Sequence, residues 1–169
     1  MEIKLTPFDH QCPSQIEGHF EETSESLIFN WSLESTENLI LPKKVMQNRV
    51  TGLWKSTCFE VFLKNIKTGH YSEFNFSPST EWNTFYFESY RNQLTELNPF
   101  SPPSIEFEEK NLKAIIKKEL LPDEFNQVGL RVHWMTAVLK YEDGSLHYLA
   151  PSHPKDAPDF HLILNHSVF

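Results

Sequence analysis

Residues 52–91 read GLWKSTCFEVFLKNIKTGHYSEFNFSPSTEWNTFYFESYR and hold three runs of the length and composition of β-strands. A pleated strand sends alternate side chains to opposite faces. Read with that period, Phe59, Val61 and Leu63 share one face with Phe74 and Phe76 and with Phe85 and Phe87, which makes that face the core side. The other face then carries Cys58, Glu60 and Phe62, next Tyr71, Glu73, Asn75 and Ser77, and last Trp82, Thr84, Tyr86, Glu88 and Tyr90. Carboxylates, an amide and aromatic rings converge there, so this face is the candidate for function.

Outward from this block the chain remains β-rich. Residues 15–22, 26–33, 105–108, 111–118, 129–139, 146–149 and 160–164 fit the strand template, with Leu27, Phe29, Trp31 and Leu33 alternating in the second. Gly18 inside a strand reads as a bulge, and the Glu-Asp-Gly-Ser segment at 142–145 as a hairpin turn. Pro99, Pro102 and Pro103 make 97–104 a loop, and 151–158 is a second one. The fold class this predicts is all-β, an antiparallel β-sandwich of jelly-roll-like type, formed as one domain over residues 1–169.

Fifteen basic against 23 acidic residues give a formal net charge of -8, and no basic cluster exceeds pairs such as Lys43-Lys44 and Lys117-Lys118. A nucleic-acid partner, which needs a basic stripe, is therefore not expected. No apolar run approaches the roughly 20 residues of a membrane span, and MEIKLTPFDHQ lacks the basic and apolar segments of a leader, so a cytoplasmic protein is expected. In that compartment Cys12 and Cys58 are expected as free thiols, and the Asn165-His166-Ser167 sequon as unglycosylated.

The sequence Leu53-Trp54, Thr57-Cys58-Phe59-Glu60-Val61-Phe62, then Tyr71-Ser72-Glu73-Phe74-Asn75-Phe76-Ser77-Pro78 resembles the DOMON-like proteins related to family 9 carbohydrate-binding modules. His153-Pro154 followed by Pro158-Asp159-Phe160-His161 is similar to the closing signature of one bacterial branch of that group. The resemblance implies a β-sandwich that binds a sugar or, in other branches, haem. It assigns Trp54 as the ring that stacks on the sugar and Glu60, six residues on, as the group that takes its hydroxyls. The modules place a basic residue and, two residues later, an asparagine on the next strand. Here Glu73 and Asn75 occupy those places, so the asparagine is kept and the cation is replaced by an acid. A second stacking ring in the modules comes from near the C-terminus, where this chain offers Phe160 or His161.

The residues support a similar reading on chemistry alone. Sugars present apolar C–H faces and many hydroxyls, and sites for them pair aromatic platforms with carboxylates and amides. Trp54, Trp82, Tyr86, Glu60, Glu73 and Asn75 are such a set, with Arg49 or Arg91 and the loop carrying His153, Asp159 and His161 at its rim. The expected partner is a small saccharide or polyol, bound without turnover and without a cofactor. Other readings remain open at this point. Trp54 as a core-edge ring, or an arginine bridging Glu60 and Glu73 in a structural network, would make the face purely architectural. Glu60 and Glu73 as an acid/base pair would make it a glycosidase. Metal-ligand spacings and the C-x-x-C-H haem motif are absent, His133 and Met135 share a strand face and cannot clamp one iron, and Cys58 with a distant His reads as packing rather than a nucleophile pair.

Overall fold

The structure is a computed structural model that describes residues 1–9, 11–92, 95–97, 101–126 and 131–162. It contains strands β1 (Glu2–Pro7), β2 (Ile16–Glu22), β3 (Ser26–Leu33), β4 (Cys58–Asn65), β5 (Tyr71–Phe76), β6 (Trp82–Phe87), β7 (Thr95–Glu96), β8 (Ser104–Glu108), β9 (Asn111–Lys117), β10 (Arg131–Lys140) and β11 (Leu146–Ala150). Helix among the described residues is confined to three single 3-10 turns, and none is long and apolar enough to cross a membrane. The antiparallel all-β expectation holds.

The strands form one continuous antiparallel sheet in the order β7-β6-β5-β4-β10-β11-β1-β2-β3-β9-β8. Strand β1 is the hinge between its halves: Glu2 to Leu5 pair with β2, while Thr6 and Pro7 pair with β11. Alternation does not pick β1 out of the sequence, because Leu5 is its one fully buried residue. The sheet folds over at β1 so that the inner faces of its halves pack together. Trp31 of β3 lies 5.6 Å from Phe59 of β4 and 6.1 Å from Phe76 of β5, ring centre to ring centre. Gly18 is not a bulge; its register runs unbroken from Ile3 through Gly18 to Trp31. A Cβ there would stand 3.1 Å from the Met135 sulfur, so this glycine admits the opposite half of the sheet at close approach.

The hairpin at 142–145 forms as expected, with Gly144 at φ 87° and its N–H bonded to the Tyr141 carbonyl at 2.9 Å. Residues 160–162 are turn and 3-10 rather than strand, because they close over the outer face of the sheet instead of joining its edge. Residues 163 and 164 lie outside the described residues, as do 129 and 130 of the expected 129–139 strand, 98–100 of the expected 97–104 loop and the 165–167 sequon.

One correction alters the site. Phe76 pairs with Trp82, Phe74 with Thr84 and Glu73 with Phe85, so β6 is turned by one residue from the expected facing. Trp82, Thr84 and Tyr86 point inward with Phe74 and Phe76, whereas Phe85 and Phe87 point outward with Glu73 and Tyr71. The connection at 77–81 sets this register through Ser77 N–H to Glu81 O at 2.9 Å, with Thr80 in the left-handed region at φ 76°. A one-residue change of register moves a whole strand's side chains to the other face.

Because β1 holds both halves, Leu5→Ala is expected to cost about 2–5 kcal/mol of folding free energy, as a core leucine does. Denaturant unfolding checks it, and a loss below about 1 kcal/mol would show that the hinge strand is dispensable.

Candidate functional site

The half-sheet β4-β5-β6-β10-β11 is buried on both faces. Its outer face carries Phe62, Tyr71, Phe85, Phe87, Trp134 and Val138, and Phe160 from the loop at 151–162 closes over them. Where the cover is incomplete a cleft of about 370 Å³ remains. Glu60 and Glu73 lie on its floor with Phe85 and Phe87, Trp54 and Arg91 stand on one side, and Tyr148, Pro158, Phe160 and His161 on the other.

Trp54 sits on a 3-10 turn, Leu53–Lys55, entered through Gly52 at φ 89°, a conformation that favours glycine. Leu53 is buried and anchors the turn, while Trp54 is 38 % exposed and meets Phe85 edge-on at 6.0 Å. Phe85 belongs both to the outer-face aromatic cluster and to the cleft wall, so Trp54 stands at the edge of that cluster with part of its ring open to the cleft.

Glu60 is 3 % and Glu73 6 % exposed. Glu60 is registered opposite Asn75, and Glu73 opposite Phe62, so the two acids are diagonal neighbours on adjacent strands. Asn75 Nδ2 donates to Glu73 Oε1 at 2.8 Å, and Thr136 Oγ1 donates to Glu60 Oε2 at 3.3 Å. Burial, with the Glu73 charge added, pushes the Glu60 carboxyl well above the usual range. Burial likewise raises Glu73 to about 7, against the opposing pull of the Asn75 hydrogen bond and the Arg91 charge.

His161 orders the other side of Glu73. Its ring is lowered to about 4 by burial and by Arg91, so it is neutral at neutral pH. The Arg91 backbone N–H donates to the Tyr71 hydroxyl at 3.0 Å, and that hydroxyl lies 2.8 Å from His161 Nδ1. The hydroxyl and Nδ1 share a hydrogen bond, and His161 Nε2 stands 3.5 Å from Glu73 Oε2. Asp159 ties the loop down: its Oδ1 takes Arg91 Nη2 and the His161 N–H, both at 3.0 Å, and its Oδ2 takes the Tyr90 hydroxyl at 2.5 Å.

The structure therefore brings together Trp54, Glu60, Glu73, Asn75, Arg91, Asp159 and His161. It places four expected residues elsewhere, Trp82 on the inner face among them. Tyr86 is on the inner face, where its hydroxyl donates to Glu124 Oε1 at 2.7 Å and its ring packs near Phe125, as the β6 register requires. Arg49 lies over the inward-facing Trp82 ring at 5.1 Å and bonds Asn83 Oδ1 at 2.7 Å, bracing the β6 edge away from the cleft. His153 donates from Nε2 to the Thr6 carbonyl at 2.7 Å and meets the Phe8 ring, at the foot of the loop beside β1. Phe85, Phe87, Val138, Tyr148 and Pro158 join the cleft without having been expected there; the odd length of the 77–81 turn is the signal for the first two.

Among the described residues no three His, Cys, Asp or Glu side chains gather as metal ligands do. Cys58 is buried with Sγ 3.7 Å from Asn75 Oδ1, and burial pushes its thiol well above the usual range, which suits a packed thiol rather than a nucleophile.

No protein-family model and no curated protein sequence matches the chain. Among solved structures, the fold is similar to that of a putative carbohydrate-binding protein from Bacteroides uniformis ATCC 8492, with a TM-score of 0.65 and 11 % identity over 94 % of this chain and 82 % of that one. At that identity the likeness establishes the fold alone.

The raised carboxyl of Glu73 has a consequence for stability. Between its ordinary value of 4.5 and about 7 the folded chain holds a proton that the unfolded chain has released, so stability falls as pH climbs through that window. Glu73→Gln is expected to lessen the dependence, leaving the part that Glu60 contributes, and to unfold later than the wild type at about pH 8 by on the order of 3 kcal/mol, with the gain shrinking toward pH 5. A difference between the two proteins that stays constant with pH would contradict the assignment.

Proposed function

We propose that this protein binds a saccharide or related polyol in the cleft without turning it over, as a DOMON-like relative of the family 9 carbohydrate-binding modules would. The observation that carries this reading is the partly exposed Trp54 ring lining one aromatic-walled cleft together with the buried carboxyls of Glu60 and Glu73. A sugar ring has an apolar face that suits the indole, and hydroxyls that both donate and accept. Glu60, whose carboxyl burial raises well above the usual range, offers a donor when it keeps its proton, and Glu73 offers an acceptor oriented by Asn75. The cleft volume of about 370 Å³ falls at the small end of the range of roughly 300–1,000 Å³ typical of small-ligand sites. The carbohydrate-binding description of the Bacteroides uniformis protein, whose fold is shared, points the same way. Arg91 supports a binding rather than a purely architectural face, since it pairs with Asp159 at 3.0 Å.

One observation favours a second reading. Two carboxyls on adjacent strands, both raised by burial and Glu60 more so than Glu73, are what a glycosidase acid/base pair is built from. Glu60→Gln and Glu73→Gln separate the two: bond cleavage by the wild type that is lost in both would replace the binding reading with hydrolysis.

Trp54→Ala is the direct test. In calorimetry across a panel of saccharides it is expected to weaken binding by at least about tenfold. Its unfolding free energy should change by less than about 1 kcal/mol, against the 3–5 kcal/mol of a core tryptophan. A panel in which nothing binds, or binding that Trp54→Ala leaves intact, would end the saccharide reading.

A further inference from the structure

The floor of the cleft is chemically one-sided. Glu60 and Glu73 are more than nine-tenths buried, and the groups that face them are neutral or already matched. Asn75 gives one hydrogen bond to Glu73, Thr136 gives one to Glu60, and Cys58 is a protonated thiol. The bond from Thr136 goes to Oε2, which leaves Glu60 Oε1 without a hydrogen-bond partner among the described residues. Glu73 Oε2 has His161 Nε2 at 3.5 Å, beyond the reach of a good hydrogen bond. The cation at the rim, Arg91, has its charge answered by Asp159 at 3.0 Å and is half exposed. Among the described residues no cation bonds both of these buried carboxyls, and the Arg91 charge reaches them only from the rim.

Burying an ionised carboxylate is costly unless it is paired, and a carboxyl without a counter-ion relieves the cost by keeping its proton. A neutral hydroxyl pairs with such a group one hydrogen bond at a time. An ammonium carries three donors and one positive charge, which serves two carboxyls at once. The aromatic walls add to this, because the faces of Trp54, Phe85 and Phe160 attract a cation as well as a sugar C–H face.

We propose that the ligand is an amino sugar with a free amine, whose ammonium is taken between Glu60 and Glu73 while its ring lies against Trp54. The proposal rests on the saccharide reading and adds the charge of the ligand to it. It also accounts for an acid at position 73 on the sheet face beside Glu60: the site selects a positive charge rather than a negative or neutral one.

Calorimetry of the full chain at about pH 6.5 tests it with four probes: a β-1,4-linked glucosamine tetramer, its N-acetylated counterpart, its glucose counterpart, and 1,4-diaminobutane as a cation without a ring. The glucosamine tetramer is expected to bind at least about tenfold tighter than either neutral tetramer. Glu73→Gln is expected to bring that preference below about twofold, and Glu60→Gln to reduce it as well, each variant first shown by thermal unfolding to be folded. Neutral tetramers that bind as tightly as the glucosamine tetramer overturn the amine inference and leave the saccharide reading standing. Diaminobutane matching the glucosamine tetramer overturns the sugar itself. Silence from all four probes overturns both.

Discussion

Everything distinctive in this molecule follows from burying the β4-β5-β6-β10-β11 half-sheet on both of its faces. The inner face packs against the other half of the sheet through rings such as Trp31, Phe59 and Phe76. The outer face is roofed by the loop at 151–162, with Phe160 laid over Tyr148 and the Tyr71-Phe87 stack nearby. A sheet closed on both sides leaves little water for the polar residues along it, so a partner or a cavity is worth most there, and Ser72 Oγ, Thr84 Oγ1 and Trp134 Nε1 lack a hydrogen-bond partner among the described residues. Asn75 and Thr136 find partners in the two glutamates. The glutamates face the cavity.

The cleft is held rigid from both ends. Tyr90, Arg91 and Asp159 clasp the roof to the end of β6, and Arg91 adopts a left-handed backbone at φ 50° with its N–H on the Tyr71 hydroxyl. From there a chain of polar contacts runs through Tyr71 and His161 toward Glu73. Asn75 holds the opposite oxygen of Glu73. The acidic groups stand on strands and the Trp54 ring on a short turn anchored by Leu53, elements that fix their geometry. The desolvated carboxyls cost stability in the empty protein, and a ligand that replaces water around them recovers part of that cost.

Much of this was legible in the sequence. The alternation of Phe59, Val61 and Leu63 and of Phe74 and Phe76 gave the inner faces of β4 and β5, and with them the outward position of Glu60, Glu73 and Asn75. Strand β6 was misread because WNTFYF carries aromatic residues on both faces, so its alternation is blind to direction and only the turn length decides. That single register placed Tyr86 in the site and Phe85 in the core, the reverse of what the structure shows. Strand β1 escaped notice for the opposite reason: with one fully buried residue it has almost no pattern to read, yet it joins the halves. Arg49 and His153 were gathered to the site by their charge and by the motif around them. Their positions depend on long-range contacts with Trp82 and Thr6 that no local period encodes.

The central claim is that the cleft under Trp54 is where ligand meets protein, and nuclear magnetic resonance reads it directly. With the saccharide that binds most tightly in a panel, the Trp54 indole N–H, the His161 ring and the Glu60 and Glu73 carboxyl carbons are expected to shift together and to saturate at one ligand per chain. Shifts clustered elsewhere, for example around the hollow beside Tyr141 and His147, or no shift with any saccharide, would contradict the account.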